Sequence, residues 1–204
     1  SDLQLALEEF EGDIIRTAFA KYGSSVKVAA ALNISQSTAA RKIKKYLKYI
    51  PYLPKTIWFN FHYLPWRQAV KLPIFLYRAK ILRAKGSITI SGDISTGMIR
   101  LGEPTVSLYP STGFIWENHG GRCSFAGKCV IGNASGISLG KHGNLIFGNN
   151  FGATAALKLI AYHHIEFMEN VLVGWDAIIM DTDFHRMRNR ETGTFAKGYA
   201  PVLI

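Results

Sequence analysis

Hydrophobic and polar positions change rhythm twice along this chain. Through residue 48 they keep a helical period. Leu7, Phe10, Ile14, Ile15, Ala18, Phe19 and Tyr22 lie at steps that trace one helix face. Gly23 supplies a stop, and Ser24 or Ser25 caps a short second helix over Val26–Leu32, with Val28, Ala29 and Leu32 facing inward. Asn33 stands where a tight turn needs a left-handed backbone, which Asn tolerates better than most residues. Ser35 is a good N-cap for a third helix that buries Ala39, Ile43 and Leu47.

After Lys48, Pro51, Pro54, Pro65 and Pro73 break that period, and aromatic residues from Tyr49 to Tyr77 crowd the intervals. From Gly86 onward a six-residue step takes over. Phe125, Ile131 and Ile137 form one series, Leu145, Phe151 and Leu157 a second, and Phe167, Val173 and Ile179 a third. Val171 and Ala177 take a companion position, and small residues such as Cys129, Ser135 and Ala155 stand at the places where the chain must turn. This is the pattern of a left-handed parallel β-helix, in which three hexapeptides make one triangular coil. Gly and Asn take its corner torsions. The register slips at His142–Asn144 and Tyr162–His164, where small insertions are expected. The expected fold is α plus β: a three-helix module at residues 1–48, an aromatic and basic connector or cap at 49–84, and a left-handed β-helix at 85–204.

Composition narrows the partners without choosing one. The 204 residues are 48% hydrophobic and 19% charged, as in a folded protein. The net charge of +10 is spread along the chain: residues 1–48 carry 8 Lys and Arg against 5 Asp and Glu, and the rest 16 against 9. Such an excess favours nucleic acid, phosphate-bearing cofactors or anionic lipid alike. Cys123 and Cys129 form no CxxC pair and have no His at zinc spacing, which argues against a zinc module or disulfide scaffold and fits a reducing compartment. Six residues apart, they are expected on adjacent faces of a coil. The N-terminus lacks a signal-peptide layout, and no run of apolar residues is long enough to span a bilayer. The expected location is the cytoplasm, with a peripheral position at the inner face of the membrane as its variant.

That variant comes from the connector. Lys55, Arg67, Lys71, Arg78, Lys80, Arg83 and Lys85 interleave with its aromatics, and no acid occurs from residue 49 through 92. Three readings stay open: a cap on the end of the following domain, a peripheral membrane contact, and a stacking surface for single-stranded nucleic acid.

Candidate chemistry lies at both ends. The outward face of the third helix carries Gln36, Ser37, Ala40, Arg41, Lys44 and Lys45, short polar groups first and cations after. That order suits a helix entering the major groove N-terminus first, with its later cations near phosphates. The stretch EFEGDIIRTAFAKYGSSVKVAAALNISQSTAARKIKKY resembles the Fis-type helix-turn-helix. The resemblance implies dimerisation and DNA binding, with those outward residues facing the groove; the plain alternative is a bundle whose basic face is merely solvated.

At the other end, the run VLVGWDAIIMDTDFH closes with Asp181, Asp183 and His185, a lone imidazole beside two acids, which points to a catalytic base. FGNNFGATAALKLIAYHHIEFMENVLVGWDAIIMDTDFH, with KLPIFLY and GMIRLG, resembles the hexapeptide-repeat O-acetyltransferases of bacterial surface-glycan genes. The resemblance implies a homotrimer with sites between neighbouring prisms, acetyl-CoA as donor and a sugar hydroxyl of a glycan or its precursor as acceptor. His185 then takes the hydroxyl proton, Asp183 or Asp181 orients it, and Arg186, Arg188, Arg190 and Lys197 meet CoA phosphates or an anionic glycan. No metal is expected. DTD also looks like the metal-binding DxD of glycosyltransferases, but those occur in α/β nucleotide-sugar folds; a divalent site from the triad with His163 or His164 is the minor alternative.

Two departures accompany this resemblance. The family continues into further coils with a WIG-type hexapeptide that contribute CoA contacts, so the β-helix is expected to be truncated after Ile204, with a strand edge uncovered and CoA binding weakened. Neither family implies the other as a neighbour, and a dimeric DNA module and a trimeric prism differ in symmetry. A second function class therefore stands beside the enzyme: a DNA-binding regulator whose β-helix oligomerises or senses without turnover.

Overall fold

The computed structural model describes residues 2–47, 50–185 and 187–204, with side chains described for all of these except residues 2–9, 45 and 50. The chain divides into two compact units, Ser1–Pro51 and Tyr52–Ile204.

The first unit holds α1 (Asp2–Tyr22), α2 (Ser25–Leu32) and α3 (Gln36–Leu47). Ser24 caps α2 by accepting from the Lys27 N–H, and Asn33 closes it in the left-handed conformation at φ 51° and ψ 47°. The Ser35 hydroxyl accepts from the Thr38 N–H at 3.1 Å at the start of α3. Each of these residues does what its chemistry favours at that place. Ala18, Val28, Ala29 and Ala39 form the core, with Phe19, Tyr22, Leu32, Ile34 and Ile43 packed against it; Ile15 and Leu47 are buried too. Small residues at the centre let the three helices approach closely. Glu11 ties α1 to α3 by accepting from Lys42 and from the Tyr46 hydroxyl. The expected apolar face of α1 is corrected in part. Phe10 is 67% exposed and Ile14 is exposed as well, because two short helices cover less of α1 than its apolar stripe spans. The expected position of Leu7 falls among side chains outside the described set.

The second unit opens with α4 (Leu53–Tyr63) and α5 (Trp66–Ala69). Fifteen short strands follow: β1 (Ile74–Leu76), β2 (Lys80–Ala84), β3 (Ser87–Ile90), β4 (Ile99–Glu103), β5 (Phe114–Asn118), β6 (Arg122–Phe125), β7 (Cys129–Gly132), β8 (Ser135–Leu139), β9 (Asn144–Phe147), β10 (Phe151–Ala153), β11 (Lys158–Ala161), β12 (His164–Phe167), β13 (Leu172–Val173), β14 (Ile178–Met180) and β15 (Val202–Leu203). Among the described residues they form three five-stranded parallel sheets, β1-β4-β7-β10-β13, β2-β5-β8-β11-β14 and β3-β6-β9-β12-β15. Each strand pairs with the third strand after it, which defines a three-sided coil. The boundary expected at residue 85 is thereby corrected. β1 and β2 already belong to the first coil, so the coil begins before residue 85, and the cap expected within 49–84 is α4 of this same unit.

The first coil is closed by α4. The Asn60 side-chain amide donates to the Ile74 carbonyl at 2.7 Å and accepts from the Ile74 N–H at 3.1 Å, standing in for a neighbouring strand. Thr56 Oγ1 accepts from the Leu76 N–H at 3.1 Å. Phe59 packs edge-on against Trp116 at 5.4 Å. Burial raises the Tyr63 hydroxyl to about 12 although it accepts from Trp116 Nε1. An exposed strand edge invites pairing with other chains, and α4 removes this one.

Inside the prism, Phe125, Phe147 and Phe167 stack with ring planes 7° and 8° apart and centroids at 5.0 and 5.5 Å. Their Cα partners in the sheet are the same residues, 22 and then 20 positions apart. Three bare hexapeptides would give a shorter coil. Phe125, Ile131 and Ile137 do occupy successive faces at steps of six, on β6, β7 and β8. The excess falls at one corner, residues 140–143 in one coil and 162–163 in the next, beside the slips seen in the sequence. At another corner Ala134, Ala156 and Asp176 hold φ of 61°, 57° and 53°, where Gly or Asn was expected; Asn150 and Asn170 fill that role elsewhere, linked by a 2.9 Å amide hydrogen bond.

Residues 104–113, between β4 and β5, run along the coil as a strap. Asn133 donates to the Tyr109 and Pro110 carbonyls, Thr105 to the Thr154 carbonyl, and the Tyr109 hydroxyl to Asp176. Cys123 and Cys129 are buried free thiols on adjacent sheets, and burial pushes both thiols up. They are therefore inert packing groups.

Deleting the central ring of the stack tests this packing. Phe147→Ala is expected to cost about 3–5 kcal/mol in thermal or denaturant unfolding. Gly132→Ala is expected to destabilise strongly because a Cβ there overlaps the Thr154 carbonyl, whereas Gly174→Ala meets open space and is expected to be near neutral.

Candidate functional site

The two candidate regions lie one in each unit. In the first, α3 begins at Gln36 directly after its Ser35 cap, and the burial of Ala39 and Leu47 fixes the rotation of the helix. Gln36, Ser37, Ala40, Arg41 and Lys44 are consequently exposed on the other side. Lys42 points away from that set and is held by Glu11. The side chain of Lys45 lies outside the described residues. The arrangement gives a surface of short polar groups at the helix start and cations further along, as base-edge and phosphate contacts require.

In the second unit the chain leaves the coil after β14, and residues 181–185 and 187–200 form an antiparallel loop that returns to β15. Thr182 bridges Tyr199 and Arg188 bridges Phe195. Asp183 N–H donates to the Gly198 carbonyl at 3.1 Å, Ala196 N–H to Met187 at 2.7 Å and Ala200 N–H to Asp181 at 3.1 Å. The loop docks on the inserted corner at 162–163. Tyr199 stacks on His163 at 3.7 Å and 12°, and Phe184 meets Tyr162 edge-on at 4.9 Å. Phe184 takes φ 60°, a costly conformation for an aromatic residue.

The two acids divide their work. Asp181 is buried, and its two carboxylate oxygens accept from the Tyr162 and His163 N–H groups at 2.9 and 2.7 Å. The role expected for its carboxylate, orienting His185, is corrected: both oxygens hold the corner that receives the loop. Asp183 does hold His185, by a different atom. Its carboxylate accepts from the His185 backbone N–H at 3.0 Å, while its carbonyl oxygen lies 2.6 Å from His185 Nδ1. A carbonyl can only accept, so Nδ1 carries the proton and the neutral ring keeps its lone pair on Nε2. The imidazole is exposed, with Nε2 available as a base.

The cations expected to meet CoA separate as well. Arg188 Nε donates to the Gly193 carbonyl at 3.1 Å and its guanidinium lies over Phe195 at 5.9 Å, so it braces the loop. Lys197 lies over the Tyr199 ring at 4.9 Å. Arg190 is exposed at the loop tip, beside the turn in which Asn189 Oδ1 accepts from the Glu191 and Thr192 N–H groups. Arg186 lies outside the described residues. A cleft of about 490 Å³ runs beside the loop, lined by Met180, Asp181, Thr182, Asp183, Met187, Ala196, Gly198, Tyr199, Ala200 and Val202. His185 is not among its lining residues. Among the described residues no cluster of three His, Cys, Asp or Glu is arranged for a metal ion. Of the groups that seat the loop, Tyr162, Phe184 and Tyr199 have no trace in the sequence beyond the slip at Tyr162–His164, and His163, there a minor metal-ligand candidate, stacks on Tyr199.

Comparison with known proteins bears on the first unit. A family model described as a helix-turn-helix domain matches residues 1–47. No curated protein and no solved structure matches the chain. The N-terminal unit is therefore a helix-turn-helix domain, compatible with DNA binding, and the parallel three-sided coil follows it.

Breaking the corner clamp tests the loop's seat. Asp181→Ala strips two part-buried N–H groups of their acceptor and is expected to cost about 1–3 kcal/mol in all. Tryptic cleavage at Arg190 is expected to accelerate in parallel, while Asp183→Asn, at an exposed carboxylate, is expected to leave global stability nearly unchanged.

Proposed function

We propose that this chain carries one activity in each unit: DNA binding through α3, and transfer of an acetyl group from acetyl-CoA to a sugar hydroxyl by the coil. The first is carried by the single exposed face of Gln36, Ser37, Ala40, Arg41 and Lys44 on a helix whose domain matches a helix-turn-helix family. The second is carried by His185, whose Nδ1 is engaged by the Asp183 carbonyl and whose Nε2 is the basic atom. The left-handed sense of the coil belongs to this proposal and is supported by its six-residue steps. So does self-association: Leu172 and Ile178 stay exposed on the outer surfaces of β13 and β14, as a trimer contact would require.

In the proposed reaction the acceptor hydroxyl oxygen attacks the thioester carbonyl carbon as its proton passes to His185 Nε2. The C–O bond forms and a tetrahedral oxyanion results. The C–S bond then breaks, the carbonyl is restored, and the imidazolium returns the proton to the CoA sulfur. Among the described cations of the loop Arg190 is the one left for CoA phosphate or an anionic acceptor, since Arg188 and Lys197 are occupied with the loop's own aromatics. Acetyl-CoA and duplex DNA meet in the cytoplasm, which is the location this reading assigns.

Release of CoA thiol from acetyl-CoA across a panel of sugar acceptors tests the enzyme. His185→Ala is expected to lower kcat/KM by about 10²-fold or more, and turnover that survives the substitution contradicts the base. If neither protein turns over, the coil is a scaffold and the regulator reading stands in its place. For DNA, Arg41→Ala/Lys44→Ala is expected to weaken duplex binding across sequences and to reduce the salt slope by roughly 2; an unchanged isotherm contradicts the α3 interface.

A further inference from the structure

Helix α4 has a buried face that forms the cap and an exposed face that is apolar. Thr56, Phe59 and Asn60 are buried against the first coil, and their hydrogen bonds and ring contacts complete its closure. The opposite side carries Ile57, Trp58 and Phe61, all exposed, with Trp58 at 47% and Phe61 at 51%. Pro65 then leads into α5, where Trp66 is 67% exposed, and Val70 follows it, exposed as well. Capping explains none of these side chains. Large apolar groups left together in water mark an interaction surface.

The charges around them identify the partner. Arg67 and Lys71 are exposed on and after α5, Lys80, Arg83 and Lys85 are exposed nearby in sequence, and no acid occurs from residue 49 through 92. At 11 residues α4 is about 16 Å long, and among the described residues no helix is long and apolar enough to cross a membrane. A short helix with Trp and Phe on one side and the exposed cations Arg67 and Lys71 following it is suited to lie in the headgroup layer.

We propose that α4 and α5 seat the second unit on an anionic lipid surface, with Ile57, Trp58, Phe61 and Trp66 inserted at headgroup depth and Arg67 and Lys71 against lipid phosphates. Single-stranded nucleic acid fits the same aromatics less well. Trp58 already stacks one ring face on His62 at 4.8 Å and 13°, and Ile57 and Val70 offer bases no stacking surface while partitioning readily into acyl chains. Anchoring the inner face of α4 to the coil holds the inserting side chains in place before contact, so little order is lost on binding. The inference is independent of catalysis by His185.

Cosedimentation of the full chain with vesicles tests it. Binding is expected to phosphatidylcholine mixed with phosphatidylserine and to fall with salt, with little binding to phosphatidylcholine alone. Trp58→Ser/Phe61→Ser and Arg67→Gln/Lys71→Gln are each expected to reduce partitioning about tenfold or more, with unchanged thermal melting because all four side chains are exposed. Arg41→Ala/Lys44→Ala serves as control and is expected to bind vesicles normally. The proposal is overturned if wild type stays in the supernatant at low salt. It is overturned equally if binding follows Arg41 and Lys44 instead of Trp58 and Phe61, or if the Trp58 and Phe61 substitutions abolish oligonucleotide binding or self-association and leave vesicle binding intact.

Discussion

Parallel coils stack only where each backbone edge finds a partner of the same register, and the second unit is shaped by that requirement. Its interior is a column of side chains whose neighbours lie in the coils before and after, with Phe125, Phe147 and Phe167 stacked as its clearest line. The first edge is met by the Asn60 amide and the Thr56 hydroxyl. Because the faces must stay in register, extra residues collect at corners, where they project outward without disturbing the ladder. The loop carrying His185 exists by that freedom: it leaves after β14, returns as β15, and rests on a corner lengthened in the coil before it.

Local signals were therefore legible and sums were not. Within a coil the step from Phe125 to Ile131 to Ile137 could be read from the sequence, because each residue fills the prism on its own face. The full turn showed only as slips at His142–Asn144 and Tyr162–His164, and its length did not, since the corner at 140–143 is polar and glycine-rich like any loop. Ala134 and Ala156 gave no sign of a left-handed backbone, which the stack imposes against their preference. The strap at 104–113 was hidden because Asn133, Thr154 and Asp176, which hold it, are far away in the chain, and β1 showed only as KLPIFLY within the acetyltransferase resemblance. In the helical unit the caps and the turn are local, whereas the Glu11 contacts to Lys42 and Tyr46 that tie α1 to α3 are not. Ser24, Asn33 and Ser35 cap and turn as their chemistry favours, and the exposure of Phe10 and Ile14 follows from how little of α1 two short helices cover.

The candidate site shows the same division. His185 was visible as a residue type beside acids, but the atoms that define its state were not. Its ring is held by a backbone carbonyl, a group that every residue possesses and no motif reveals, and the carboxylate of Asp181 is spent on the N–H groups of Tyr162 and His163. Arg188 and Lys197 looked like phosphate ligands and instead lie over the loop's own rings. Their positive charge still contributes to the field around the cleft, and both lend rigidity to the hairpin that presents the imidazole.

The central claim is that this hairpin holds the His185 ring with Nδ1–H donated to the Asp183 carbonyl, so that Nε2 is the basic atom of the neutral tautomer. Long-range ¹H–¹⁵N correlation of the imidazole in the full chain, above the pH at which the ring is protonated, tests it most directly. The account predicts a protonated Nδ1 and a pyridine-type Nε2, lost on disordering the loop with Asp181→Ala. A protonated Nε2 with a bare Nδ1, or rapid exchange between the two tautomers as in a free histidine, contradicts it.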